Sequence, residues 1–161
     1  MLVREDACEL YLTNVAELIE RHGISLTRPG PGEDLELVST EKGVAYELIG
    51  LMPHPDVPSA QIEVRESLAP IGGGWYRTSS YEYELIDPVR DYRRAFHFHD
   101  AGWFVDRYQV AVHEHCEQPM GDIACEHYAG SPVRDAYAGV TMLIAAWIEG
   151  PINCATLDCL A

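Results

Sequence analysis

Residues 92–127 decide the predicted fold and read YRRAFHFHDAGWFVDRYQVAVHEHCEQPMGDIACEH. In the first part of this stretch aromatic residues alternate with His97 and His99, and alternation resumes over residues 104–112, which is the two-residue period of β-strands. The Asp-Ala-Gly sequence at residues 100–102 between them is typical of a turn. We therefore predict a β-hairpin whose second strand enters a loop rich in histidine, cysteine and acidic side chains.

Two helices are predicted outside this hairpin. Residues 5–22 place apolar side chains at spacings of three and four, and Gly23 is well suited to end a helix. Residues 131–149 show the same periodicity, with Ser131 as the N-cap and Pro132 at the first helical position. Both helices are therefore expected to pack an apolar face against the rest of the chain.

The remaining segments complete an α+β fold, an antiparallel β-meander packed against a C-terminal helix with an additional N-terminal helix. Alternating or continuously apolar segments predict strands at residues 35–39, 44–52, 61–68, 75–86 and 90–99. Pro and Gly predict a turn or linker at residues 27–34 and an extended loop at residues 52–58. We expect a single domain over residues 1–161, with the N-terminal helix and linker in 1–30, the sheet in 35–127 and the last helix in 131–149.

Composition indicates the environment in which the protein works. The chain has no apolar run of the ~18 residues that span a bilayer, so no membrane segment is predicted. The sequence does not begin with a basic region followed by an apolar one, which favours a cytoplasmic protein. Because the cytoplasm is reducing, the five cysteines are expected to be free thiols.

The formal net charge of -15 restricts the partners. An acidic surface repels phosphate backbones, so nucleic-acid binding is predicted only through a local patch of Arg90, Arg93, Arg94 and Arg107. The same acidity suits a basic protein partner.

Histidines form two pairs in the decisive stretch, His97 with His99 and His113 with His115. Each pair places two imidazoles on one face of a strand, which suggests a single four-histidine metal site. The predicted hairpin argues against that site, because eight residues at ~3.3 Å per residue separate the pairs by about 26 Å. We therefore expect the two pairs to act separately.

A more compact metal site is predicted in the loop that follows the hairpin. Its candidate ligands for a divalent metal ion are His113, His115, Glu117, Cys125 and His127, all of which are zinc or iron ligand types. The alternative is a turn lined by polar side chains, in which the histidines form structural hydrogen bonds.

The same region offers groups for metal-free catalysis. Arg107 is expected in mid-strand on the face of His113, where a guanidinium can bind phosphate, although a surface ion pair is the competing interpretation. Small ribonucleases combine a histidine base with a cation that stabilises the transition state. Arg107, His113, His115 and His127 are therefore the candidate catalytic residues for RNA cleavage.

Residues 61–149 contain five short segments of a recognisable pattern: residues 62–66 (IEVRE), 91–93 (DYR), 96–98 (FHF), 107–108 (RY) and 113–115 (HEH). In these segments the chain resembles the TumE-like toxin family of toxin–antitoxin systems. Gln109 and the Ala111-Val112 pair depart from the family pattern. The resemblance implies a small growth-inhibiting toxin with nuclease activity, held by a basic, antitoxin-like protein.

The sequence therefore predicts three alternative functions. The first is a toxin component that cleaves RNA. The second is a metal-dependent enzyme built on the loop of residues 113–127. The third is a non-enzymatic acidic domain that binds other proteins, in which the histidines and arginines are scattered rather than gathered at one site.

Overall fold

An antiparallel sheet is the frame of the protein in the computed structural model, which describes residues 1–27, 38–52, 60–98, 102–130 and 133–160. The strands in these residues are β1 (Leu2–Arg4), β2 (Ser25–Thr27), β3 (Val38–Thr40), β4 (Gly43–Leu51), β5 (Gln61–Gly72), β6 (Trp75–Asp87), β7 (Tyr92–Phe98) and β8 (Val112–Glu117). The helices are α1 (Cys8–Arg21), α2 (Gly102–Tyr108) and α3 (Ala136–Glu149). The strand order is β2-β4-β5-β6-β7-β8, with β3 paired to β4 and β1 to β6.

The hydrophobic core lies between one face of this sheet and the helices α1 and α3. Ile62 and Val64 on β5 alternate with polar neighbours, as do Tyr83 and Leu85 on β6, and all four are fully buried. Because successive side chains of a strand point to opposite faces, this alternation gives the sheet one apolar and one polar face. The apolar stripe of α1 packs into the same core. The α+β prediction, with helices near both ends of the chain, is confirmed.

Helix α3 approaches the sheet closely at Gly139. A Cβ atom at this position would come within 2.3 Å of the Tyr83 ring. Only glycine lets α3 approach β6 this closely, which explains why a poor helix former occupies a buried helical position. The helix begins later than predicted, because Asp135 is its N-cap and accepts a hydrogen bond from the Ala138 N–H. Ser131, the predicted N-cap, lies outside the described residues.

A buried carboxylate lies inside the core. Glu66 on β5 accepts hydrogen bonds from Tyr11 at 2.9 Å, from Tyr46 at 2.6 Å and from Thr78 at 2.7 Å. Burial raises the pKa of Glu66, although these hydrogen bonds act in the opposite direction. The network joins α1, β4, β5 and β6 through a single side chain.

The strand predicted directly after the turn is wrong at residues 102–108, and residues 100 and 101 of the predicted turn lie outside the described residues. Gly102–Tyr108 forms the helix α2, and the second strand begins only at Val112. Phe104 and Tyr108 are four residues apart, so they lie on one face of this helix, with their ring centroids 4.7 Å apart. The segment predicted as a strand is therefore a short helix in the connection between the antiparallel strands β7 and β8.

The other predicted elements mostly agree with the structure. The N-terminal helix predicted at residues 5–22 is α1, preceded by a 3-10 turn, and Gly23 follows it with a φ of +74°. The predicted strands correspond to β3 to β7. Most of the predicted linker at residues 27–34 and of the proline-rich loop at 52–58 lies outside the described residues. No helix in the described part of the chain is long and apolar enough to cross a bilayer.

The prediction that all cysteines are free thiols is wrong. Cys116 on β8 is bonded to Cys154, and Cys125 is bonded to Cys159. The free cysteine is Cys8, which is buried in α1. The sequence spacing hid these pairs, because each bond joins the loop region to the chain end over 38 or 34 residues. Together the two disulfides attach the C-terminal segment to β8 and to the loop that follows it.

The buried Glu66 carboxyl generates a prediction about pH dependence. Its folded-state pKa lies above the ordinary value of 4.5, so the folded protein holds this proton more tightly than the unfolded chain does. The free energy of unfolding should therefore fall as the pH rises from 4.5 through the raised pKa. Glu66→Gln should flatten this part of the profile, as measured by urea denaturation at a series of pH values.

Glu9→Gln is the matched control, because Glu9 is exposed on α1. This control should keep the wild-type slope. An unchanged slope in Glu66→Gln would show that the carboxyl does not titrate differently in the folded and unfolded states.

A candidate metal centre

Three histidines converge on the polar face of the sheet, at the pairing of β7 with β8. In this register His97 lies directly opposite His113, and His115 is two residues further along β8 on the same face. Their ring centroids are 5.3 Å apart for His97 and His113, and 4.5 Å apart for His97 and His115. One ring nitrogen from each histidine lies within 4.8 Å of the others.

The spacing of these nitrogens fits a metal ion. The Nε2 atoms of His113 and His115 are 3.1 Å apart. A tetrahedral zinc ion with Zn–N bonds of about 2.0–2.1 Å holds its ligand atoms about 3.4 Å apart. The three histidines thus form a set of ligands that one ion can join.

The predicted hairpin separated the two histidine pairs by about 26 Å. This prediction is wrong, because His97 is the register partner of His113. Since α2 replaces part of the expected second strand, β8 pairs with β7 in a register that brings His113 to His97. His97 is therefore the ligand that the sequence interpretation discarded. Its partner in the predicted turn-end pair, His99, lies outside the described residues.

A fourth imidazole, that of His127, lies beside the three. Backbone hydrogen bonds in both directions join Glu114 to Tyr128, and they bring the returning loop against β8. The ring centroid of His127 is 5.0 Å from that of His113 and 5.1 Å from that of His115. Its Nδ1 atom is buried and has no hydrogen-bond partner among the described residues. His127 is therefore a close neighbour of the cluster.

The helix α2 covers the cluster with aromatic side chains. Phe104 is buried, and its ring centroid is 4.3 Å from that of His113 and 5.0 Å from that of His127. Tyr108 packs on His127 at 5.2 Å. Such an apolar cover limits the access of water and lowers the local dielectric constant. His115 is the most exposed member of the three-histidine set, so the site opens to solvent on its side.

A carboxylate on the next strand orients His97. The Nε2 atom of His97 is 3.0 Å from a Glu84 oxygen, and Arg93 donates to the same oxygen at 2.7 Å. Burial opposes the ionisation of Glu84, but the hydrogen bonds from His97 and Arg93 outweigh it and lower the pKa of Glu84 to about 2. A carboxylate that fixes the second nitrogen of a ligating histidine is a common feature of metal sites.

Burial favours the neutral, metal-binding form of two of the imidazoles, those of His115 and His127. Burial lowers the pKa of His115 to about 3, and the nearby His97, Arg93 and His127 act in the same direction. Burial also lowers the pKa of His127. Because protons do not compete for these nitrogens near neutral pH, a metal ion can bind without first displacing them.

Three residues predicted for this site serve elsewhere. Glu117 accepts a hydrogen bond from Arg93 at 2.6 Å and is not a member of the cluster. Cys125 is in a disulfide bond, so it does not offer a thiolate. Arg107 is not in mid-strand, because it belongs to α2, where it is exposed and lies 5.0 Å over the Tyr108 ring.

The predicted arginine patch is largely committed to carboxylates. Arg90 pairs with Asp87, and Arg94 pairs with Glu114 at 2.6 Å. Arg93 bridges Glu84 and Glu117, as described above. These arginines neutralise acidic neighbours in the sheet, which leaves less positive charge for a phosphate backbone.

Sequence reasoning missed His97 and Glu84 as members of the site. The signal that could have found them is the helical spacing of Phe104 and Tyr108, since a helix there shortens β8 and changes its register. The alternation of Glu82 and Glu84 opposite the tyrosines of β6 also placed these acids on the polar face.

Comparison of the chain with protein-family models, with curated proteins and with solved structures gave no match. The candidate function therefore rests on the geometry of the site.

Proposed function

We propose that the protein is a metal-dependent enzyme that binds one divalent transition-metal ion through His97, His113 and His115. The observation that carries this proposal is the convergence of three ring nitrogens within 4.8 Å. Imidazole suits zinc, copper, iron and nickel, and a set of three histidines is a known arrangement for catalytic zinc. Zinc is the first candidate because it requires no redox partner.

The number of ligands favours catalysis over a structural role. Structural zinc sites use four protein ligands, whereas catalytic sites use three and leave one position open. A zinc ion in such a site supplies Lewis-acid chemistry and activates water for attack on a substrate. The His127 ring centroid lies 5.0 Å from that of His113 and 5.1 Å from that of His115, where an imidazole can hold or move a proton. We therefore infer a hydrolytic or hydration reaction.

The charges around the site also support cation binding. The formal net charge of -15 raises the local concentration of cations. Glu84 adds a negative charge next to His97, and its low pKa keeps that charge at all physiological pH values. Arg93 pairs with this carboxylate and with Glu117, so these three side chains together carry one formal negative charge beside the cluster.

The two other functions stay predictions. RNA cleavage by Arg107 and the histidines requires that a substrate reach the base, but His113 is only 1% exposed and Arg107 lies on the outer helix α2. The toxin resemblance and its basic, antitoxin-like partner rest on the sequence segments alone. An acidic interaction domain is expected to scatter its histidines, whereas these converge on one point.

The disulfides bear on where the enzyme works. Disulfide bonds persist in oxidising compartments and are rare in the reducing cytoplasm. We infer that the protein functions where Cys116–Cys154 and Cys125–Cys159 stay oxidised, which differs from the cytoplasmic location favoured by the sequence.

Thiol counting tests this inference. Denatured, unreduced protein should show one reactive thiol per chain, that of Cys8, and reduction should raise the count to five. Because the bonds close loops of 38 and 34 residues, each should contribute about 4 kcal/mol to the free energy of unfolding in the chain-entropy account. Five reactive thiols in protein purified without reductant would contradict the disulfides.

Metal analysis tests the proposed site. Chelator-treated wild-type protein should bind one zinc ion per chain in a calorimetric titration, and zinc should raise its melting temperature. The variants His97→Ala, His113→Ala and His115→Ala should each lose at least about a hundredfold in affinity, since each removes a ligand. His127→Ala should keep stoichiometric zinc with less than about a tenfold loss.

His22→Ala is the matched control, because His22 is exposed at the end of α1. It should bind zinc like the wild type. Zinc affinity equal to that of the wild type in all three cluster variants would refute the site. Loss of zinc in His127→Ala would instead show a closed site with four protein ligands, which contradicts the catalytic proposal.

The role of Glu84 can be tested separately. Glu84→Gln removes the charge that orients His97 and should weaken zinc affinity by about 10- to 100-fold while leaving the stoichiometry at one. Glu82→Gln is the control, because Glu82 lies on the same strand and the same face but pairs with Arg65. If both substitutions have the same effect, general electrostatic attraction explains the result and orientation of His97 by Glu84 does not.

A further inference from the structure

A cavity of about 630 Å³ lies on the opposite face of the sheet from the histidine cluster. Phe98 and Val112, which are paired across β7 and β8, contribute to its lining. Phe98 follows His97 in sequence and Val112 precedes His113. Because successive side chains of a strand point to opposite faces, both side chains lie on the face opposite the histidines. The volume lies within the range of roughly 300–1,000 Å³ that is usual for small-molecule sites.

The lining divides into an apolar part and a basic part. Phe98, Val112, Tyr81 and Val133 provide the apolar surface. Arg77 and Arg134 also line the cavity, and both are exposed, which places positive charge where the cavity meets solvent. The cavity is thus built for a ligand with one apolar end and one negative end.

Arg77 and Arg134 belong, with Arg21 and Arg107, to the four described arginines that form no ion pair. Five arginines form ion pairs with carboxylates, namely Arg4, Arg65, Arg90, Arg93 and Arg94. Arg77 and Arg134 form no ion pair with any described residue, although the chain has 26 acidic residues and only 11 basic ones. Their guanidinium groups are therefore available for an anion that comes from outside the chain.

Two acidic groups near the cavity do not cancel this charge. Asp135 also contributes to the lining, but its carboxylate accepts a hydrogen bond from the Ala138 N–H at the start of α3. The helix dipole further compensates its charge. Glu66 lies behind Thr78, whose hydroxyl donates to it, and is buried in the core.

We propose that this cavity binds an amphipathic carboxylate with an unbranched apolar chain, of the medium-chain fatty acid class. The carboxylate accepts hydrogen bonds from Arg77 and Arg134, and the chain is buried against Phe98, Val112 and Val133. Planar guanidinium groups match a carboxylate in geometry, and burial of the methylene groups supplies the hydrophobic part of the affinity. This proposal is independent of the metal site, because it concerns the other face of the sheet.

Calorimetric titration of full-length, chelator-treated protein with decanoate tests the proposal, since removal of metal prevents the carboxylate from binding to an ion. One decanoate per chain should bind saturably. Arg77→Gln/Arg134→Gln should weaken binding by at least about tenfold, because hydrogen bonds to charged groups are lost. Decanol, which has no carboxylate, should bind to the wild type more weakly than decanoate does. Its affinity should be the same for the wild type and for the double variant. Decylammonium should not compete.

Arg21→Gln is the control, because Arg21 is exposed near the end of α1 and does not line the cavity. It should bind decanoate like the wild type. Circular dichroism and the melting temperature show whether the double variant is folded. If it is not, the single variants Arg77→Gln and Arg134→Gln should each show a smaller loss. Three results would overturn the proposal. They are the absence of saturable decanoate binding, wild-type decanoate affinity in folded arginine variants, and tighter binding of decylammonium than of decanoate.

Discussion

The antiparallel register between β7 and β8 is the constraint on which the candidate site depends. It places His97 opposite His113, and the two-residue period of the strand adds His115 to the same face. A slip by one residue would turn His113 and His115 toward the core face and remove the cluster. Two ion pairs between β7 and β8 oppose such a slip. One joins the register partners Arg93 and Glu117, and the other joins Arg94 to Glu114 on the opposite face. The same ion pairs that neutralise the sheet therefore also hold the ligands in place.

The two faces of the sheet have separate tasks. The apolar face packs against α1 and α3, and this packing fixes the strands whose polar face carries the histidines. The short helix α2 then covers the histidines with Phe104, while the disulfide of Cys125 ties down the loop that carries His127. The apolar face and the disulfide bonds thus supply the stability of the fold. The polar face can therefore hold four imidazoles close together, although their desolvation costs free energy.

The sequence was sufficient for the elements with clear periodicity and insufficient for contacts set by register. Alternation along β5 and β6 and the apolar stripe of α1 predicted those elements, because burial of one face imposes these periods. The segment around Phe104 and Tyr108 satisfied both a strand and a helix pattern, and the choice of a strand moved His97 away from His113. His113, His115 and His127 are predicted as site residues from their residue type. His97 is excluded from the predicted site because the wrongly placed second strand puts it far from His113. The disulfide partners of Cys116 and Cys125 are distant in sequence, so no local pattern indicates them.

X-ray absorption spectroscopy at the zinc edge, on protein loaded with one zinc ion per chain, tests the metal centre most directly. The spectrum should show three imidazole nitrogens and one further light atom at about 2.0–2.1 Å, with the outer-shell scattering that imidazole rings give and without sulfur. The His97→Ala variant should show one imidazole fewer or no ordered zinc. A sulfur shell at about 2.3 Å, or an unchanged imidazole count in His97→Ala, would contradict the claim that the pairing of β7 with β8 builds the metal centre.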